Sequence, residues 1–206
     1  MKINTLIRAF VLILAGIGMT TSWSQTTYDY TGDLQTYTVP AGVTSIEISS
    51  TGAIGGNELD GPAVVSEPGN GAQMIGTFVV VPGEVLTLLV GEEGASAQFV
   101  GGGGGGSFVW NSDEELLIAA GGGGGAGYTD IGGDSYVGLD ASIDENGVNG
   151  NGIADGAGAA GEGGIIPTSP TYAGGGAGWL SGGNNGTTHG CLSNSNGGQR
   201  PLEGGA

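Results

Sequence analysis

Positive charge is what this chain lacks most. Its 206 residues hold three Lys and Arg together, against 20 Asp and Glu. Two of those cations, Lys2 and Arg8, lie in the first few residues, so Arg200 is the single cation of the remainder. Nucleic acids and anionic membranes are bound by Lys and Arg that displace counterions, so both are excluded as partners. A phosphate-binding loop of the Walker type needs a lysine, and no lysine follows Lys2. Cysteine is equally sparse. Cys191 stands alone and cannot close a disulfide within the chain. The one histidine, His189, is its near neighbour in "THGC". A zinc site would need further soft ligands, and a Cys/His nucleophile would need an orienting third group. No pair of carboxylates stands in an acid/base context, so the chain reads as non-enzymatic. Helical periodicity is missing throughout, which excludes helical bundles.

Apolar runs of membrane-spanning length are missing too. "MKINTLIRAFVLILAGIGMTTSWSQ" has a short basic start, an apolar stretch from Ala9 to Met19, and the small-residue site Ser22-Trp23-Ser24. This is the order of a secretory signal peptide, over residues 1–24, and its apolar stretch is too short for a comfortable span. The expected location is therefore secreted or on the cell surface, with no span in the mature chain. The carboxylates scatter mostly at turns, where they serve solubility and would favour a basic partner.

What the chain has instead is β-pattern and glycine. Residues 25–120 read as six or seven short strands of a β-sandwich. In "VTSIEISSTGA", Ile46 and Ile48 alternate with Ser45, Glu47 and Ser49, the pattern of a half-buried strand. "AQMIGTFVVVPGEVLTLLVGEEG" reads as a hairpin turning at Pro82-Gly83, a type II pair. "SFVW" and "ELLIAA" flank a second turn at Asn111-Ser112-Asp113. Of the 49 glycines, 35 fall in residues 101–206, so 121–206 reads as a glycine-rich insertion within the same domain.

Six glycines, Gly101, Gly102, Gly103, Gly104, Gly105 and Gly106, sit between strand-like phrases. Gly121, Gly122, Gly123, Gly124 and Gly125 repeat the arrangement. A nucleotide loop would be followed by a helix, but "SFVW" is a strand. A flexible linker would be rich in Ser or Pro and lie between domains, whereas these runs begin at strand ends. The remaining reading is structural. Glycine can adopt the extended helix of three residues per turn, which makes no internal hydrogen bonds. Six residues would make a rod of about 19 Å. Ordering them costs on the order of 6–12 kcal/mol of backbone entropy. One run alone could not recover that, but five or six parallel runs sharing backbone hydrogen bonds could.

The loop around Asp140, Asp144 and Asp155 gathers hard oxygen ligands of the kind calcium takes, though its spacing is not that of an EF-hand. A solvated acidic loop is the plainer account, and no cofactor is otherwise expected. Trp110 and Trp179 read as packing anchors, and Asn185-Gly186-Thr187 is a glycosylation sequon.

Taken in order, "YTVPAGVTSIEISSTGAIGG", "GNGAQMIGTFVVVPGEVLTLLVGEEG", "FVGGGGGGSFVW", "LLIAAGGGGGAGY" and "AGGGAGWLSGG" resemble the glycine-rich domain family, over about residues 30–206. Its domains occur in the ectodomains of anaplastic lymphoma kinase and leukocyte tyrosine kinase and in secreted bacterial proteins. The resemblance implies a tumour-necrosis-factor-like (jelly-roll) β-sandwich with an inserted bundle of polyglycine II helices. It also implies recognition of an extracellular protein or surface ligand; in the receptors that ligand is basic. In the family a further glycine phrase with a nearby cysteine usually follows. The end at "PLEGGA" therefore reads as a C-terminal truncation, with the partner of Cys191 beyond residue 206. The function expected is an exported module for adhesion or recognition. The alternative is a spacer domain, with no ligand of its own, in a larger surface or matrix protein.

Overall fold

The computed structural model describes residues 24–98, 100–128, 135–144, 146, 162–163, 178–181 and 201. Strands dominate them, and no α-helix occurs among them, so the fold is all-β. Cys191, His189, Asp155 and the sequon lie outside the described residues.

Four strands make the main sheet: β1 (Gln35–Thr38), β6 (Val85–Leu89), β8 (Ser107–Trp110) and β9 (Leu116–Ala120), in the order β1-β6-β8-β9 and antiparallel throughout. Strand β6, "VLTLL", is nearly continuous in apolar residues because it lies between two partners, with Leu86, Leu88 and Leu89 buried. A second sheet pairs β2 (Ser45–Thr51) with β5 (Gln73–Val79). Both of its strands alternate between half-buried and exposed positions, and its inner face lies against β9. Between the sheets Ile118 reaches the backbone of Gly76, which the ring of Phe78 also covers. Leu89, Phe108 and Trp110 form the core cluster, with Leu116, Ala119 and Trp179 packed on it. Trp179 lies 5.4 Å from Trp110 and 6.0 Å from Phe108, centroid to centroid. A three-stranded sheet, β4 (Ala63–Ser66), β3 (Glu58–Asp60) and β7 (Ala97–Gln98), and the short pair β10 (Gly127–Tyr128) with β11 (Ser135–Tyr136) complete the strands described.

Both sequence-predicted turns form. Gly83 takes φ 87°, and the Glu84 N–H donates to the Val81 carbonyl at 2.9 Å, as a type II turn requires. In the β8–β9 turn the Asn111 side chain accepts from the Asp113 and Glu115 N–H groups, and Glu114 takes φ 61°. One expectation needs correction. Residues 72–94 are not a hairpin: β5 pairs with β2, while β6 pairs with β1 and β8. The Pro82-Gly83 turn carries the chain from one sheet to the other. A type II turn fixes the reversal and leaves the pairing to the apolar pattern, and β6, buried more fully than β5, takes the central place.

The glycine segments form the third part of the fold. Residues 52–56, 67–72, 91–95, 101–105, 121–126 and 138–141 lie side by side, joined by backbone hydrogen bonds. The partners recur every three residues. Gly101 and Gly104 donate to Ala126 and Gly123, while Gly102 and Gly105 donate to Ala95 and Glu92. The carbonyls of Gly102 and Gly105 accept from Gly56 and Ala53. Likewise Gly123 and Ala126 donate to Ala53 and Gly56, and Gly69 and Ala72 donate to Gly124 and Gly121. The order of partners gives the directions. Segment 52–56 runs with 91–95 and 121–126, and against 67–72 and 101–105. The expected all-parallel arrangement is therefore replaced by one of mixed direction. Both chain directions present N–H and C=O groups sideways, so direction does not limit pairing.

Why these positions are glycine is visible at each contact. Among the described residues the left-handed glycines are Gly32, Gly42, Gly61 and Gly83, so none belongs to the two runs. Most of the run positions are glycine for lack of space. A Cβ on Gly122 would lie 2.0 Å from the Gly104 carbonyl oxygen, one on Gly101 1.8 Å from that of Gly56, and one on Gly123 2.0 Å from that of Gly69.

Candidate functional site

Three of the glycine segments carry side chains at their outward positions, and those side chains frame a depression of about 340 Å³. Ile54 comes from the first segment and Asn57 directly follows it; Glu67, Pro68 and Asn70 come from the second and Glu93 from the third. The three-residue repeat decides which residues can face outward here. In 67–72, Gly69 and Ala72 donate into the bundle, and the carbonyls of Glu67 and Asn70 accept from Gly138 and Ala141. Pro68 falls on the remaining row, where no backbone donor is used among the described residues, so its missing N–H forfeits nothing.

Both amides of the depression are tethered. Asn57 donates its backbone N–H and its Nδ2 to Ser96 Oγ, at 2.9 and 3.2 Å. Asn70 donates the same two groups to Asp140 Oδ1, at 2.6 and 3.0 Å. Each Nδ2 carries two hydrogens, so one donor and the Oδ1 acceptor of each amide have no partner among the described residues. Glu67 and Glu93 are exposed and supply acceptors. Apart from the depression, the Tyr30 phenol is raised above its ordinary value of 10.0. Desolvation leads, followed by its hydrogen bond to Glu92 and by the charges of Glu92 and Asp33.

The residues singled out from sequence fall into separate places. Gly101–Gly105 and Gly121–Gly125 lie in the interlocked segments, and Gly106 lies against the Phe108 ring. Asp140 is used by Asn70, and Asp144 donates its N–H to Ser142 Oγ at 2.9 Å. Among the described residues, no three or more His, Cys, Asp or Glu side chains gather as a metal would need. Asp155 and Cys191 lie outside the described residues. Sequence reasoning did not single out the residues of the depression. A signal was there: Gly52 and Gly55, and Gly91 and Gly94, repeat at the three-residue spacing within phrases read as strand or turn.

Another group was missed at the junction of sheet and glycine segments. The buried Ser107 donates its Oγ to the Thr51 carbonyl at 2.7 Å and accepts from Gly91 N–H at 3.0 Å. Ser50, also buried, donates to the Ser107 carbonyl at 3.2 Å. This one serine ties together the end of β2, the start of β8 and the entry to 91–95. No helix among the described residues is long and apolar enough to cross a membrane. No family model matches the chain, and no curated protein is significantly similar to it.

Proposed function

We propose that this chain is an exported, non-enzymatic module of the glycine-rich domain family that serves recognition at the cell surface. In this reading a jelly-roll sandwich carries a bundle of polyglycine II helices. The three-residue recurrence of hydrogen-bond partners supports the bundle, since that helix has three residues per turn and bonds only to its neighbours. The residues of the depression support recognition. Binding groups are usually carried on loops held by a rigid scaffold. Here they project from segments whose own backbone is cross-linked, so a ligand would meet groups already in place. The excess of carboxylates suits a basic extracellular partner.

The test is binding of the immobilised chain to a panel of extracellular proteins, glycans and whole cells. Saturable capture of a component supports the module reading. A blank on every surface supports the spacer reading instead, which the hydrogen-bonded cross-bracing also suits.

A further inference from the structure

We infer that the depression framed by Ile54, Asn57, Glu67, Pro68, Asn70 and Glu93 is a binding site for a neutral sugar unit of a surface glycan. The inference rests on the recognition reading and names its ligand class. Its volume, about 340 Å³, is at the small end of ligand pockets, which span roughly 300–1,000 Å³. That suits a short saccharide better than a folded protein surface. The chemistry of the rim narrows the choice further. A sugar hydroxyl both donates and accepts, and so do the two amides once Ser96 and Asp140 have each taken one hydrogen. The carboxylates of Glu67 and Glu93 take further hydroxyl donors through charge-assisted bonds. Ile54 and Pro68 supply apolar surface for the C–H face of a ring.

Other ligands fit this rim less well. A guanidinium or ammonium group would be drawn by Glu67 and Glu93, but it carries donors only and leaves the remaining Nδ2 hydrogens of both amides unmet. A metal ion asks for a denser donor set than two carboxylates from separate segments. An anionic sugar would be repelled by Glu67, Glu93 and the surplus of carboxylates around them. The amides hold their positions without a ligand, because their tethers run to Ser96 and to Asp140 on separate segments.

The experiment compares three full-length proteins on an array of neutral gluco-, manno- and galacto-oligosaccharides, with a Gly-Arg repeat peptide, calcium and the protein panel as parallel arms. The proteins are the wild type, the Glu67→Gln/Glu93→Gln double variant, and an Asp113→Asn/Glu47→Gln control of equal charge. The expected result is neutral-glycan binding by the wild type and the control, weakened at least tenfold in the double variant. Glycan binding that the double variant retains overturns this site and leaves the recognition reading standing. Binding confined to the Arg peptide, to calcium or to proteins overturns the sugar assignment alone. A blank in every arm overturns the recognition reading and this inference together.

Discussion

At Gly122 and Gly121, adjacent in sequence, the same substitution should have opposite outcomes. A Cβ on Gly122 would lie 2.0 Å from the Gly104 carbonyl oxygen, a backbone atom that cannot swing aside. On Gly121 it would meet only Ala141 Cβ, at an ordinary 3.7 Å. Neither backbone is left-handed, so strain at φ does not enter. Gly122→Ala is expected to cost at least about 3 kcal/mol, beyond the usual range for overpacking because backbone must move. Gly121→Ala should stay within about 1 kcal/mol of wild type, and gains from a less flexible unfolded chain. Denaturant unfolding of the two variants measures both. Tyr30 offers a test in pH. Its folded value lies above 10.0, so the stability tied to the neutral phenol is full below 10.0 and is lost as pH rises through the folded value. Glu92→Gln removes one charge and should lower the tyrosinate transition assigned to Tyr30, though not to 10.0, because desolvation persists. An unmoved transition would remove Glu92 from the account.

At the scale of elements, the strands were the legible part. The alternation at Ile46 and Ile48, the Pro82-Gly83 turn and the Asn111-Ser112-Asp113 turn are local signals, and each appears where the sequence puts it. Pairing was less legible. A turn with the right chemistry suggested that β5 and β6 pair, but type II geometry serves a crossing between sheets as well as a hairpin. The junction at Ser107 was not legible at all, since a serine at a strand end carries no pattern. Ser107→Ala leaves the buried Gly91 N–H and the partly buried Thr51 carbonyl without their partner, an expected loss of about 1–3 kcal/mol. Ser107→Thr keeps the hydroxyl and should recover part of it. Trp179 was legible as an anchor by its type, and its ring contacts Phe108 and Trp110. Trp179→Phe should lower stability by about 1 kcal/mol and change the emission of Trp110, which loses its indole neighbour.

Across the whole molecule, glycine content pointed to a backbone-paired bundle, while its membership was hidden. The two long runs announce themselves. The segments 52–56, 67–72, 91–95 and 138–141 carry side chains such as Ile54, Glu67, Pro68 and Leu139, and look like turns. Only a three-residue rule, glycine wherever a neighbouring backbone passes and any residue where none does, makes them visible. The same rule explains the depression: residues allowed outward are the ones that frame it. Every part of the proposed function depends on these segments being ordered, so amide hydrogen exchange of the full chain is the most direct test. Slow exchange is expected at Gly101, Gly102, Gly104 and Gly105, which donate hydrogen bonds, and faster exchange at Gly103, whose N–H has no partner among the described residues. Random-coil rates across all six glycines would contradict this expectation.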